Sequence, residues 1–95
     1  MVYKYNKMQN LENLFNACAE EVKTFKTKPT DDELLSLYKY YKQATIGKCN
    51  TTSPWMFELV NYQKWNAWNS LGKMSKKEAM KTYIDLVNEL RPRCN

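Results

Sequence analysis

Residues 30–47 read Thr-Asp-Asp-Glu-Leu-Leu-Ser-Leu-Tyr-Lys-Tyr-Tyr-Lys-Gln-Ala-Thr-Ile-Gly, and they spell a helix from its start to its stop. Thr30 followed by Glu33 is a capping box: the hydroxyl accepts a free backbone N–H while the carboxylate reaches back to the cap. Asp31 and Asp32 add negative charge at the positive end of the helix dipole. Leu34, Leu35, Leu37, Tyr38, Tyr41, Ala44 and Thr45 carry the helix onward, and Gly47 is placed to end it in a left-handed cap.

Three more helices surround this one. Upstream, Leu11, Leu14, Phe15, Cys18, Val22 and Phe25 follow the three-and-four spacing of a buried stripe, predicting a helix from Asn10 to Phe25. Asn10 or Asn13 is its candidate cap, and Pro29 forces it to fade because the residue before proline avoids helical angles. Downstream, Asn50, Thr51, Thr52, Ser53 and Pro54 favour turns, with a short turn or helix over Trp55–Leu59. A third helix is expected from Asn61 to Leu71, with Trp65, Trp68 and Leu71 on one face and Gly72 at its end. Ser75 and Glu78 form a second capping box that opens a fourth helix. Its stripe is Ala79, Met80, Tyr83, Ile84, Val87 and Leu90 or Arg91, and Pro92 is expected to stop it. Four helices and no hairpin pattern predict an all-α bundle. The connection from Ala44 to Asn61 exceeds the usual bundle loop, which marks it as a candidate functional segment.

Composition narrows the function. The chain has 95 residues, 43% of them hydrophobic and 26% charged, the makeup of one globular domain and not of a disordered tail. No apolar run reaches the roughly 18 residues of a spanning helix, and the first residues lack a signal peptide's apolar stretch, so a cytoplasmic location is expected. The net charge of +5 permits an anionic partner. The excess is unevenly placed: Lys39, Lys42 and Lys48 fall in the acid-free stretch between Glu33 and Glu58. Histidine is absent, which removes Ser–His and Cys–His nucleophiles and the commonest metal ligand. The three cysteines form no CxxC pair: Cys18 sits on the apolar stripe, Cys49 in the loop and Cys94 in the tail, so no metal site or disulfide framework is expected.

Tyr38, Tyr41 and Lys42 are spaced i, i+3, i+4 and so share a helical face. Two readings of that face are open. The tyrosines are core and the lysine is solvated, or the face is a platform on which a phosphorylated purine stacks while Lys and Tyr hydroxyl bind phosphate. Lys64-Trp65-Asn66-Ala67-Trp68 again sets a lysine beside large aromatics; the tryptophans read as bundle core and Lys64 as held near a fixed surface. Tyr83 has apolar stripe neighbours, so packing is its default reading.

Taken together, Lys23, Lys26-Thr27-Lys28-Pro29, the run from Tyr38 to Gly47, Lys64 to Asn69 and Ser75 to Ile84 resemble the acyl-CoA-binding protein family, in that family's order and spacing from Leu14 to Leu90. The resemblance implies an up-down-down-up four-helix bundle, a single acyl-CoA-binding domain over residues 1–95 with residues 1–10 as an N-terminal extension. It also implies a non-enzymatic carrier that binds medium- to long-chain fatty acyl-CoA and forms an intracellular pool of it. The head-group residues it implies are Lys23, Tyr38, Lys39, Tyr40, Tyr41, Lys42, Lys64 and Tyr83, with Tyr38, Tyr41 and Lys42 at the adenine and 3′-phosphate. Cys18, Ala19, Val22, Leu34 and Leu35 border the acyl groove. No cofactor is implied beyond the acyl-CoA ligand. Enzymes that make or use acyl-CoA are the expected protein partners, the chain is expected to be a monomer, and neither nucleic acid nor stable membrane insertion is expected.

The chain also departs from the family pattern. Val60 stands where many relatives carry a lysine, Lys48 replaces a frequent aspartate, and Trp55 occupies a position often held by a small residue. Two other functions fit the composition: a nucleic-acid module, although the lysines form no continuous stripe, and a helical module for proteins or membrane surfaces. A thioesterase fits least, having no histidine.

Overall fold

The computed structural model describes residues 7–95. Of the extension expected at residues 1–10, residues 1–6 lie outside the described residues, and the rest belong to the first helix. The helices are α1 (Lys7–Val22), α2 (Asp31–Thr45), α3 (Leu59–Asn69) and α4 (Lys76–Cys94), with no strand among the described residues.

The central helix begins as its sequence dictates. The Thr30 hydroxyl accepts from Glu33 N–H at 3.2 Å, and Thr30 N–H donates to the Glu33 carboxylate at 2.8 Å. At its far end Ile46 and Gly47 N–H both donate to the Lys42 carbonyl, and Gly47 takes φ +96°, which an L side chain rarely adopts.

Other boundaries move. α1 starts at Lys7, so Asn10 and Asn13 are interior residues and not caps, and it gives way to turns after Val22, before Phe25. α3 spans Leu59–Asn69 in place of Asn61–Leu71, and the residues after it form turns in which Gly72 has φ +58°. Ser75 caps α4 by accepting from Glu78 N–H, but only this half of the capping box is formed. Pro92 does not stop α4. It removes one backbone donor, yet the last turn is held by tertiary bonds: Cys94 carbonyl accepts from Thr27 N–H at 2.9 Å and Arg93 pairs with Glu33. Cys94 is consequently a fully buried core residue, not part of a loose tail.

Polar contacts fix the helix directions. Arg91 of α4 clasps Glu21 of α1 through two bonds of 2.5 and 2.8 Å, so both C-terminal ends lie together and α1 runs parallel to α4. The Arg93–Glu33 pair joins the end of α4 to the start of α2, and the Gln43 amide near the end of α2 donates to Gly72 and Met74 carbonyls just before α4. Those two helices are therefore antiparallel. Trp68 near the end of α3 donates to the Gly47 carbonyl past the end of α2, which makes α2 and α3 parallel. The result is the up-down-down-up bundle, with α4 packed on α1 and α2, and α3 on α2. Phe15, Cys18, Leu37, Ala44, Ala79, Met80, Tyr83, Val87, Leu90 and Cys94 form one core, drawn from α1, α2 and α4. α3 contributes only Trp68 to the buried set.

Candidate functional site

Leu34 and Tyr38 stand one turn apart on α2 and form a ridge with a cleft on either side. On one side, a cleft of about 310 Å³ opens between α1, α2 and α4, lined by Ala19, Val22, Lys23, Tyr38, Tyr41 and Tyr83 among others. Tyr41 and Tyr83 make part of its lining aromatic, and Phe15 packs against both. Phe15 stacks on Tyr41 with centroids 5.7 Å apart and meets Tyr83 edge-on at 5.0 Å, and Tyr41 and Tyr83 lie 6.1 Å apart. Burial, helped by the neighbouring Cys18 and Tyr41, pushes the Tyr83 phenol up to about 12, so it is a neutral hydrogen-bond donor across the physiological range. At the rim, Lys23 pairs with Glu20 at 2.9 Å, one helical turn away and mostly exposed, which raises the Lys23 pKa.

On the other side, a cleft of about 280 Å³ lies between α2 and α3, lined by Asp31, Leu34, Leu35, Tyr38, Val60, Gln63 and Lys64. Because these helices are parallel, residues one turn apart on each face each other in rungs. The Lys64 ammonium lies 5.3 Å from the Tyr38 ring centre, and the Lys42 ammonium 4.9 Å from that of Trp68. Each rung sets a cation on an aromatic face, and the sides alternate. Trp68 is held at both ends: its ring is buried and its indole N–H donates to Gly47 carbonyl at 2.9 Å. Trp65 does the same at the surface, donating to Thr51 carbonyl at 3.0 Å. The tryptophans thus anchor the 47–51 loop.

The face expected to carry Tyr38, Tyr41 and Lys42 together is split. Successive helical residues are about 100° apart, and the neighbours Tyr41 and Lys42 diverge: Tyr41 joins Phe15 and Tyr83, whereas Lys42 turns to α3. Of these three, only Tyr38 lines both clefts; Tyr41 lines the first and Lys42 neither. Lys39 lies over its own neighbour Tyr40 at 5.1 Å, Tyr40 packs on the core, and neither lines either of these two clefts. Ala19 and Val22 line the first cleft, Leu35 the second and Leu34 both. Cys18 is packed in the core, where burial raises its thiol pKa, and it lines neither cleft.

One lining residue of the second cleft, Gln63, escaped the sequence reading. Val60, Gln63 and Lys64 are spaced i, i+3, i+4 on α3, a signal that would have placed Gln63 in the second cleft. No cluster of three or more His, Cys, Asp or Glu among the described residues could hold a metal, and no described helix is long and apolar enough to cross a membrane.

Residues 12–87 match the model of the family described as Acyl CoA binding protein. The chain is 46% identical over 76 residues to an acyl-CoA-binding protein of Dictyostelium discoideum, covering 80% of this chain and 90% of that one. It is 44% identical over 84 residues to human enoyl-CoA delta isomerase 2, covering 88% of this chain but spanning only 20% of that enzyme. Among solved structures it resembles Oryza sativa acyl-CoA-binding protein 2, with TM-score 0.85 and 38% identity over 90% of this chain and 92% of that one. The acyl-CoA-binding protein of Moniliophthora perniciosa is similar, with TM-score 0.82 and 34% identity over 86% and 81% of the two chains.

Proposed function

Because the chain belongs to the acyl-CoA-binding protein family, we propose that it binds fatty acyl-CoA thioesters across the Leu34–Tyr38 ridge and carries them without chemical change. The observation that carries this reading is the meeting, on one helix, of an apolar cleft and a ladder of alternating ammonium and aromatic groups.

The two ends of such a ligand make different demands. A methylene taken out of water contributes about 0.8 kcal/mol, so a dozen sheltered methylenes contribute on the order of 10 kcal/mol before ordering costs. Leu34, Leu35 and Val60 offer that shelter. Hydrocarbon alone would not separate a CoA thioester from a free fatty acid. That selection falls to the polyanionic head, through charge-assisted hydrogen bonds of roughly 1.5–3 kcal/mol each. Lys42 and Lys64 supply ammonium groups already poised against aromatic faces, the hydroxyls of Tyr38 and Tyr41 supply donors, and the aromatic rings of Tyr41 and Tyr83 give the nucleotide ring a surface. Lys23 can exchange its Glu20 partner for a phosphate. Lys39 and Tyr40, turned toward each other, act at most on the edge of this site.

We infer that the isomerase match reflects a shared module for CoA esters and not catalysis, since it spans a fifth of that enzyme and this chain has no histidine to act as a base. Residues 1–95 act as one domain in this reading, as a cytoplasmic monomer that exchanges medium- to long-chain acyl-CoA with enzymes that make or consume it. Replacing Lys42 with Ala tests it. Titration calorimetry should show palmitoyl-CoA binding weakened roughly tenfold or more, with helicity intact by circular dichroism. Palmitate and CoA alone should each bind far more weakly than the thioester. Unchanged affinity in Lys42→Ala, or equal affinity for palmitate, overturns the reading.

A further inference from the structure

Near the end of the bundle where α1 and α4 begin and α2 stops, a third depression opens. Its volume is about 290 Å³, and Glu12, Phe15, Asn16, Thr45, Lys76 and Met80 are among its lining. It shares no lining residue with the clefts beside the Leu34–Tyr38 ridge. The stack of Phe15 on Tyr41 stands between it and the first cleft, with Phe15 lining one and Tyr41 the other. Helical spacing gathers these groups. Glu12, Phe15 and Asn16 are spaced i, i+3, i+4 on α1, and Lys76 and Met80 i, i+4 on α4. Phe15 and Met80 are buried members of the core, so the base of the depression is apolar. Glu12, Asn16, Thr45 and Lys76 stand exposed around it.

The rim carries both signs of charge. The ion pairs among the described residues join Lys23 to Glu20, Arg91 to Glu21 and Arg93 to Glu33, so Glu12 and Lys76 line the depression without neutralising each other. The helix ends sharpen the division. α2 ends at Thr45, where its carbonyls add negative potential, and α4 begins at Lys76, where its N–H groups add positive potential. Packing places the lysine: its stem lies against Gly47, where a Cβ would sit 3.4 Å from Lys76 Cε. The Thr45 hydroxyl donates to the Tyr41 carbonyl at 2.8 Å, which leaves its oxygen able to accept. The Asn16 amide offers both a donor and an acceptor.

We propose that this depression is a second binding site, for a compact zwitterion with an apolar body: an α-amino acid with an aromatic or large aliphatic side chain. The carboxylate meets Lys76 and the start of α4, and the ammonium meets Glu12 and the Thr45 oxygen. The side chain lies on Phe15 and Met80, a ring and a thioether that both favour aromatic contact. The volume sets the size, since small-molecule sites begin at about 300 Å³. The two charges set the class. A simple anion would be repelled by Glu12 and a simple cation by Lys76, whereas a zwitterion satisfies both. The proposal does not rest on the acyl-CoA reading.

Titration of the full chain with L-phenylalanine, followed by amide chemical shifts in heteronuclear NMR, tests this. Saturable shifts should centre on Glu12, Asn16, Thr45 and Lys76. Hydrocinnamate, which lacks the ammonium, and phenethylamine, which lacks the carboxylate, should each bind roughly tenfold more weakly or worse. Glu12→Gln and Lys76→Gln should weaken phenylalanine binding by a similar factor, roughly tenfold, with helicity intact by circular dichroism. In Glu12→Gln the gap between phenylalanine and hydrocinnamate should close, because the group that reads the ammonium is gone. Saturating palmitoyl-CoA should leave the phenylalanine titration saturable, since the sites share no residue. No saturable shift, equal binding of the one-charge analogues, undiminished binding by either variant, or exclusion of phenylalanine by palmitoyl-CoA would each overturn the proposal. Failure of palmitoyl-CoA itself to bind would strike the acyl-CoA reading and leave the phenylalanine result standing.

Discussion

The two clefts flanking Leu34 and Tyr38 are built on different foundations. The one between α1, α2 and α4 rests on the core: Tyr83, which lines it, is 4% exposed and packs edge-on against Phe15 among the residues that hold the bundle together. The one between α2 and α3 rests on a helix that sends a single residue into the buried set, and its wall includes Val60, which is 64% exposed. A change in the first cleft is therefore a change in folding stability. A change in the second can alter what is bound while the fold stands, and the departure from the family pattern at Val60 falls on that side.

Truncating Tyr83 to Ala would test the first half of this contrast most severely. Loss of a buried aromatic ring should lower stability by about 3–5 kcal/mol, read as a shift of the urea midpoint, because Phe15 and Tyr41 cannot close over the space. Tyr83 also links the fold to alkaline pH. Its pKa is raised in the folded chain from 10 to about 12, so its contribution is fully present below pH 10 and is lost as pH climbs toward 12. Tyr83→Phe should remove that alkaline loss while keeping the ring. A Tyr83→Ala variant as stable as the wild type would show that the cleft and the core are separable.

Trp68 probes the second half. Its indole N–H is the bond that fastens the end of α2 to α3, and its ring is the face beneath Lys42. Trp68→Phe keeps a ring but leaves the Gly47 carbonyl without its donor, a loss of about 1–3 kcal/mol. The stability effect should be smaller than that of Tyr83→Ala, and palmitoyl-CoA affinity should fall more steeply than stability does. Equal stability losses in the two variants would erase the distinction between the clefts.

Much of this was legible beforehand because local signals and tertiary demands agreed. Thr30, Glu33 and Gly47 each carry their function in their own side chain or in its absence, so the central helix came out with the expected ends. The ends of the other helices are settled elsewhere. Pro92 should end α4 on local grounds, but Arg93 and the Cys94 carbonyl find partners on α2 and beyond α1, and the last turn survives. The site was half legible for a similar reason. The i, i+3, i+4 rule gathers Tyr38, Tyr41 and Lys42 within about a third of the helix circumference, and only the positions of α1, α3 and α4 decide which neighbour each one meets. The exposed run at 55–60 was readable as apolar and not as exposed, since α3 could equally have turned it inward.

The smallest expected effect concerns the clasp that closes the core side. Arg91 holds Glu21 below the ordinary carboxylate range, chiefly through the side-chain hydrogen bond, and Arg93 with the Thr30 backbone does the same for Glu33. A carboxylate with a lowered folded pKa stabilises the fold above its unfolded value, near 4.5, and loses that contribution as pH falls through the folded value beneath it. Both pairs are largely solvated, so the gain is modest. Thermal melts between about pH 6 and pH 3, the interval that brackets the unfolded carboxylate values, should show stability declining most below about 4.5, and Arg91→Gln should flatten that decline. The variant should leave palmitoyl-CoA affinity at neutral pH unchanged, because Glu21 and Arg91 line neither cleft. If it weakened binding as much as Trp68→Phe, the end of the bundle where α1 and α4 meet would have to be counted as part of the site, and the division between a core-built and a surface-built cleft would no longer describe how this chain holds its ligand.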